Sequence, residues 1–235
     1  MKLAIMQPYL FPYLGYWQLM AAVDMFVILD DVNYINRGWI NRNRVVVNGK
    51  TAWMTVPLVG ASQNRLISEI DIVPDNGWKN KMERMIVEAY AQAPEARTVL
   101  PLFNRWLKGA SGSLSRSLYE SIKDVAVHLG IATTIIPSSS VYPKNDLKGQ
   151  HRILDICQRE GAVTYVNPPG GRDMYDTVLF RRAGIELLFL EPNLHVGRLR
   201  SGANDGTVLS ILDHMLYNPR RLLMDAVASF DLKVA

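Results

Sequence analysis

A chain of 235 residues with 49% hydrophobic and 20% charged side chains carries enough apolar mass to bury a sizeable core. Its single cysteine, Cys157, excludes an internal disulfide and a thiolate metal cluster, and no apolar run reaches the roughly 18 residues of a membrane span. The net charge of +4 and the pI near 9.2 favour anionic partners without choosing among a nucleotide, a nucleotide sugar and nucleic acid.

The start of the chain lacks a signal-peptide layout. Lys2 is a thin positive region, and Pro8 and Pro12 interrupt what would be the apolar segment, so a cytoplasmic protein is expected. Lys2 to Met6 reads as a short buried strand, Gly15 to Val23 has helical spacing, and Met25 to Leu29 is a second buried strand. Strand, loop, helix and strand within about 30 residues make a βαβ unit, which predicts a mostly parallel, Rossmann-like α/β sheet. Arg42 to Val47 and Thr51 to Val56 flank Asn48-Gly49, the signature of a tight β-hairpin.

Helical periods follow over Trp78 to Tyr90, Thr98 to Lys108 and Leu114 to Leu129, with Gly130 as a stop. They predict a helical insert at about 76–130 within a single domain spanning 1–235. The α/β alternation then resumes. Strands are expected at Ala132 to Ile136, Val163 to Val166 and Ile185 to Leu190, with helices at Gln150 to Glu160 and Asp173 to Ala183. The last helices are expected at Leu209 to Met215 and Arg220 to Phe230. Cys157 sits in an apolar helical pattern and reads as a buried small residue.

Four polar clusters fall at strand ends or loops. The first, Gln7 to Tyr16, is stiffened by its prolines and contains Tyr9, Tyr13 and Tyr16; Gly15 leaves room for a close approach at a helix start, where an anion is favoured. The second runs from Asp30 and Asp31 through Asn33, Arg37, Trp39, Asn41 and Arg42 to Arg44. Paired carboxylates at a strand end can hold a metal, position an amine or act as a base. Arginines among asparagines suit phosphate or carboxylate, because the guanidinium is a bidentate fork.

The third cluster, a polar loop from Ser138 to Arg152, places Lys148, His151 and Arg152 at a helix start, where cations oppose the helix dipole unless an anion lies between them. His151 could exchange protons near neutral pH. The fourth, Asn167 to Tyr175, has Gly170 and Gly171 between a strand and a helix, either a phosphate cradle or a tight turn capped by Asp173.

These residues resemble the WbqC-like proteins. The resemblance is carried by Gln7-Pro8-Tyr9 through Gly15-Tyr16, Phe26 to Val32, Arg37-Gly-Trp39-Ile-Asn41-Arg42-Asn43 and Thr55-Val-Pro57. Lys148 to Cys157, Thr164 to Gly170, Tyr175, Phe180, Gly184-Ile185 and Ser210 to Asp213 agree, while Glu191 to Thr207, with Arg198 and Arg200, matches least. The resemblance implies C–N bond formation, attaching an amino acid such as glycine to a phosphate-activated or nucleotide-linked sugar of a surface polysaccharide of the O-antigen kind. Two alternatives stand beside it: an amino acid:DNA transferase acting on an activated hypermodified pyrimidine, and a non-catalytic nucleotide or nucleic-acid binding module.

Under the transferase reading, Asp31, Arg42, Gln7 and His151 are the expected catalytic residues. Asp31 would deprotonate the amine, and Arg42 with Arg37 would hold phosphate. Tyr9, Tyr16, Asp30, Trp39, Asn41, Lys148, Gly170 and Tyr175 would line the substrate site. The sequence names no definite cofactor, and the two adjacent aspartates would suit Mg²⁺. The expected partners are an amino-acid donor and a phosphate-bearing acceptor, with DNA as the alternative acceptor. The whole expectation supposes that the first two clusters share one cavity.

Overall fold

The computed structural model describes residues 1–192, 199–203 and 206–235. Arg198, in the segment that matches least, therefore lies outside the described residues.

A six-stranded sheet forms the centre. Its strands are β1 (Lys2–Met6), β2 (Met25–Ile28), β7 (Thr134–Ile136), β8 (Thr164–Asn167), β9 (Glu186–Pro192) and β10 (Phe230–Val234), in the spatial order β10-β9-β8-β1-β2-β7. All pairings are parallel except β9 with β10 at one edge. β1 pairs Leu3 with Met25 and Ile5 with Val27 on one side, and Lys2 with Thr164 on the other.

Alternation along the strands splits the core in two. Leu3, Ile5, Val27, Tyr165, Leu187 and Phe189 pack on one face with α5 (Gly149–Arg159) and Phe180 of α6 (Thr177–Arg182). Ala4, Phe26, Ile28, Val166, Leu188 and Leu190 face the other side, with α1 (Leu14–Ala21) and the helices α2 (Trp78–Tyr90), α3 (Ala96–Gly109) and α4 (Leu114–Leu129). Strands with both faces covered explain the near-continuous apolar runs that marked β1 and β2 in the sequence.

The chain leaves β1 toward β2 and β7, then returns to the other flank of β1 to lay down β8, β9 and β10. The strand order therefore reverses between β1 and β8, and ligands of open α/β sheets bind outside the carboxyl ends of the strands at such a point. Beside the sheet, β3 (Arg42–Val47) and β4 (Lys50–Thr55) form the predicted hairpin. Asn48 and Gly49, at φ 49° and 72°, supply its tight turn.

Four departures from the sequence reading matter. Asp173 does not cap a helix: residues Pro169–Met174 form a 3₁₀ segment, and Asp176 caps α6 by accepting from the N–H groups of Val178 and Leu179. Tyr175 is thereby left extended between the two, free to turn its ring toward Tyr165 and Phe180. Arg220–Val227 (α8) stops before Phe230, and the remaining residues form the antiparallel edge strand β10. A small pair, β5 (Leu58–Val59) with β6 (Asp71–Ile72), also went unread. Ile211–Tyr217 (α7), capped by Ser210, sits two residues later than its expected start.

Candidate functional site

At the point where the strand order reverses lies a cleft of about 460 Å³. Gln7 enters it from the end of β1, Leu29 from the end of β2, and Met174 and Tyr175 from the segment after β8. The wall opposite is Lys144, Leu147, Lys148, Gly149, Gln150, Arg152 and Ile153, the approach to and first turn of α5; Val32 and Asn33 close it.

Every charged side chain of this lining is a cation: Lys144, Lys148 and Arg152. The start of α5 adds to the positive potential. No side chain caps it, no acidic residue occupies its first turn, and Lys148 stands at its N-cap position. Gly149, at φ 53°, turns the chain into the helix through a conformation that a Cβ would oppose, with open space around it. A left-handed residue followed by helical ones aims successive N–H groups into a common concavity, which suits an anion.

Arg152 is 3% exposed and anchors this wall. It donates to the Asp31 carboxylate at 2.9 Å and to the carbonyls of Pro143, Ser139 and Tyr142 at 2.8, 3.0 and 2.9 Å. Its Nε is buried with no acceptor. Lys144 donates to the backbone carbonyl of Asp31 at 2.6 Å. The carboxyl end of β2 is thus fastened directly to the cationic wall.

Asp30 and Asp31 are 2% and 5% exposed, and neither lines the cleft. Asp30 accepts from Ser115 Oγ, from Ser138 Oγ at 2.6 Å and from the Ser139 N–H at 3.2 Å. Asp31 accepts from Ser139 Oγ at 2.5 Å and from Arg152. Their oxygens therefore face hydroxyl, amide and guanidinium donors. Among the described residues no group of three His, Cys, Asp or Glu side chains could hold a metal ion.

The other expected site residues are distributed as follows. Gln7, Lys148 and Tyr175 meet in the cleft. Tyr16 is buried and donates from its hydroxyl to the Gln7 carbonyl at 3.2 Å, with the Tyr9 ring 5.8 Å away, so both stand behind Gln7. Burial raises the hydroxyl pKa of Tyr9 to about 12, that of Tyr16 well above the ordinary 10.0, and that of Tyr175 upward. All three act as neutral phenols.

His151 is exposed and outside the lining. Gly170 is exposed too; the space beside Gly171 is filled by the Asn167 side chain, whose Nδ2 would lie 2.0 Å from an added Cβ. Gly171 thus makes room for the side chain of Asn167 at the end of β8, whereas Gly170 has nothing against it. Likewise the room at Gly15 is occupied by the Tyr13 ring, 2.8 Å from where a Cβ would stand.

Arg42 opens β3 of the hairpin, and Arg37, Trp39 and Asn41 lie on the segment leading into it. Arg42 donates to the carbonyls of Gly38 and Arg37 and lies 4.1 Å over the Trp53 ring; Asn41 accepts from the Tyr34 hydroxyl at 2.8 Å. The first two clusters do touch. The Leu10 N–H donates to the Trp39 carbonyl at 3.1 Å, and Asn43, 1% exposed, donates to the carbonyls of Leu10 and Phe11. Each lends one polar residue to the cleft, Gln7 and Asn33, while the arginines stay on the hairpin. Cys157 is fully buried, and burial pushes its thiol up to about 12.

The sequence assigns no role to Asn33, Lys144 or Arg152, although all three fall within its polar clusters. A larger depression, about 630 Å³, lies at the start of α4, but its lining mixes Arg105 and Arg116 with Glu120 and Asp124, and Arg105 pairs with Asp124 at 3.0 Å.

A doubly wound, mostly parallel α/β sheet with a cation-lined cleft at its strand-order reversal defines a Rossmann-like fold. The chain belongs to the WbqC-like protein family, whose pattern it matches over residues 7–223. It is similar to the uncharacterized protein Rv1507c of Mycobacterium tuberculosis (strain ATCC 25618 / H37Rv), 28% identical over 219 residues, covering 92% of this chain and 93% of that protein. No solved structure matches it. Among the described residues no helix is long and apolar enough to cross a membrane.

Proposed function

We propose that this protein is a transferase that forms a C–N bond, attaching an amino acid such as glycine to a phosphate-activated or nucleotide-linked sugar held in the cleft. One observation carries the reading: Lys144, Lys148, Arg152 and the uncapped start of α5 converge on the space that Gln7 enters from β1. In such a transfer the amine nitrogen bonds to the activated carbon while the carbon–oxygen bond to phosphate breaks. Negative charge then grows on the departing phosphate, and fixed cations and N–H groups aimed at it lower the barrier because they need no reorganisation.

The polar amides of Gln7, Asn33 and Gln150 orient the sugar, and Tyr175 offers a neutral hydroxyl. Among the described residues no carboxylate or imidazole lines the cleft, and the departing phosphate takes the amine's proton. Asp31 serves by holding Arg152 rather than by meeting the substrate.

Calorimetric titration with nucleoside-diphosphate sugars and inorganic pyrophosphate tests the reading. Lys148→Ala and Lys144→Ala should each weaken binding about tenfold, the scale of one charge-assisted hydrogen bond. Transfer of labelled glycine, followed by mass spectrometry, should fall in parallel. Equal affinity in wild type and the double-lysine variant would sink the proposal.

A further inference from the structure

Between Asp31 and Glu69 lie 37 residues without one carboxylate, among them Arg37, Arg42, Arg44, Lys50 and Arg65. The whole chain nets +4, so the remainder nets −1. The protein's entire excess of positive charge therefore resides in the β3–β4 hairpin and its flanks. None of the five ion pairs among the described residues involves these cations.

Two of the hairpin's arginines stack on indoles. Arg42 lies 4.1 Å over Trp53, Trp53 and Trp39 are 5.7 Å apart, and Arg44 lies 5.0 Å over Trp39. Arg44 makes no side-chain hydrogen bond among the described residues, and its Nε is buried without an acceptor. Trp53 is 45% exposed, on the outward face that it shares with Thr51 and Thr55, while Met54 between them is fully buried. A tryptophan needed only for packing would be covered. This one is presented among cations that form no ion pair with any described residue.

We propose that the outer face of the β3–β4 hairpin binds single-stranded nucleic acid, with bases stacking on Trp53 and the phosphates held by Arg44, which the register sets opposite Trp53, and by Arg37. Flat aromatic rings interleaved with cations match a strand whose bases are unpaired and whose backbone is charged. An acidic peptide or sulfated sugar would meet the cations but has no π-face for the indole, and a duplex hides its base faces. The inference does not rest on the transferase reading.

Fluorescence anisotropy with a labelled oligothymidylate of about 12 nucleotides tests it. Binding should quench indole fluorescence and weaken severalfold as salt rises from about 50 to about 200 mM. Trp53→Ala should weaken it about tenfold. Thr51→Glu, which sets a carboxylate on the same face without touching the ring stack, should weaken it as well and decides the matter alone if Trp53→Ala does not fold. Lys148→Ala, in the cleft, should bind the oligonucleotide as wild type does. The proposal is overturned by absence of binding at low salt, by wild-type affinity in folded Thr51→Glu, by equal competition from inorganic polyphosphate without indole quenching, or by loss of binding in Lys148→Ala.

Discussion

At the scale of single residues, Arg152 decides most. Its guanidinium closes the gap between α5, the Ser139–Tyr142 turn and the carboxyl end of β2, and its partner Asp31 is nearly as buried as itself. Such a pair adds little beyond an apolar pair of the same shape, yet removing one member leaves a buried charge without its closest opposite charge. Arg152→Met should therefore lower stability by about 3–5 kcal/mol in urea denaturation, and Asp31→Asn, which keeps hydrogen-bonding atoms, by less. A role for Asp31 as the reacting base makes the opposite demand: activity lost in Asp31→Asn while stability and ligand affinity hold. Phe11 is a second decisive residue, buried at φ 42° where bulky side chains are strained. Asn43 and Ser210 hold it there by donating to its carbonyl, each at 2.8 Å.

At the scale of elements, local punctuation explains what the sequence made legible. Gly77 before α2, Ser113 and Gly130 around α4, and Asn48-Gly49 in the hairpin each bind a boundary to a backbone need, and these elements fall where expected. Asp173 and Asp176 offer the same capping chemistry three residues apart, and only the packing of Tyr175 on Tyr165 and Phe180 selects the later one. β10 was hidden because five residues of mild alternation gain strand character only by pairing with β9. The site divides the same way. Gln7, Lys148 and Tyr175 stood out as polar residues at element ends, whereas Lys144 and Asn33 become site residues only because the topology lays the 144–152 segment over the end of β1.

The start of α5 yields a test at this scale. Gly149 (φ 53°) and Gly161 (φ 64°), just beyond the other end of the helix, both sit in left-handed backbone with open space around the missing Cβ. Alanine at either should cost about 1–2 kcal/mol of stability through the backbone alone. Only Gly149→Ala should also weaken pyrophosphate binding, since only that end faces the cleft. Equal ligand affinity in the two variants would remove the α5 start from the site.

At the scale of the whole molecule, Asp213 on α7 is a crossing point. It accepts from the Tyr90 hydroxyl of α2 at 2.9 Å, and from Ser201 Oγ and the Gly202 N–H at 3.0 Å each, while Tyr90 itself accepts from the Val46 N–H of the hairpin. Helical insert, hairpin and the 199–203 segment are locked through one carboxylate. The next residue, His214, has a buried Nδ1 without a partner among the described residues, and burial lowers its pKa below the ordinary 6.5 although Asp213 pulls the other way. His128, lowered by burial and then by Arg220, adds the same sign elsewhere. The folded state thus holds both imidazoles neutral. Below pH 6.5 the unfolded chain binds more protons than the fold does, so their contribution is complete above that value and is lost as pH falls toward the folded pKa values. Stability should decline from roughly pH 7 to pH 5, with a slope of at most about 1.4 kcal/mol per pH unit for each histidine. His214→Gln should flatten that slope, whatever it does to stability at neutral pH. Denaturation midpoints for wild type and variant across this window check the claim, and identical slopes would show that His214 takes up its proton as readily in the fold as outside it.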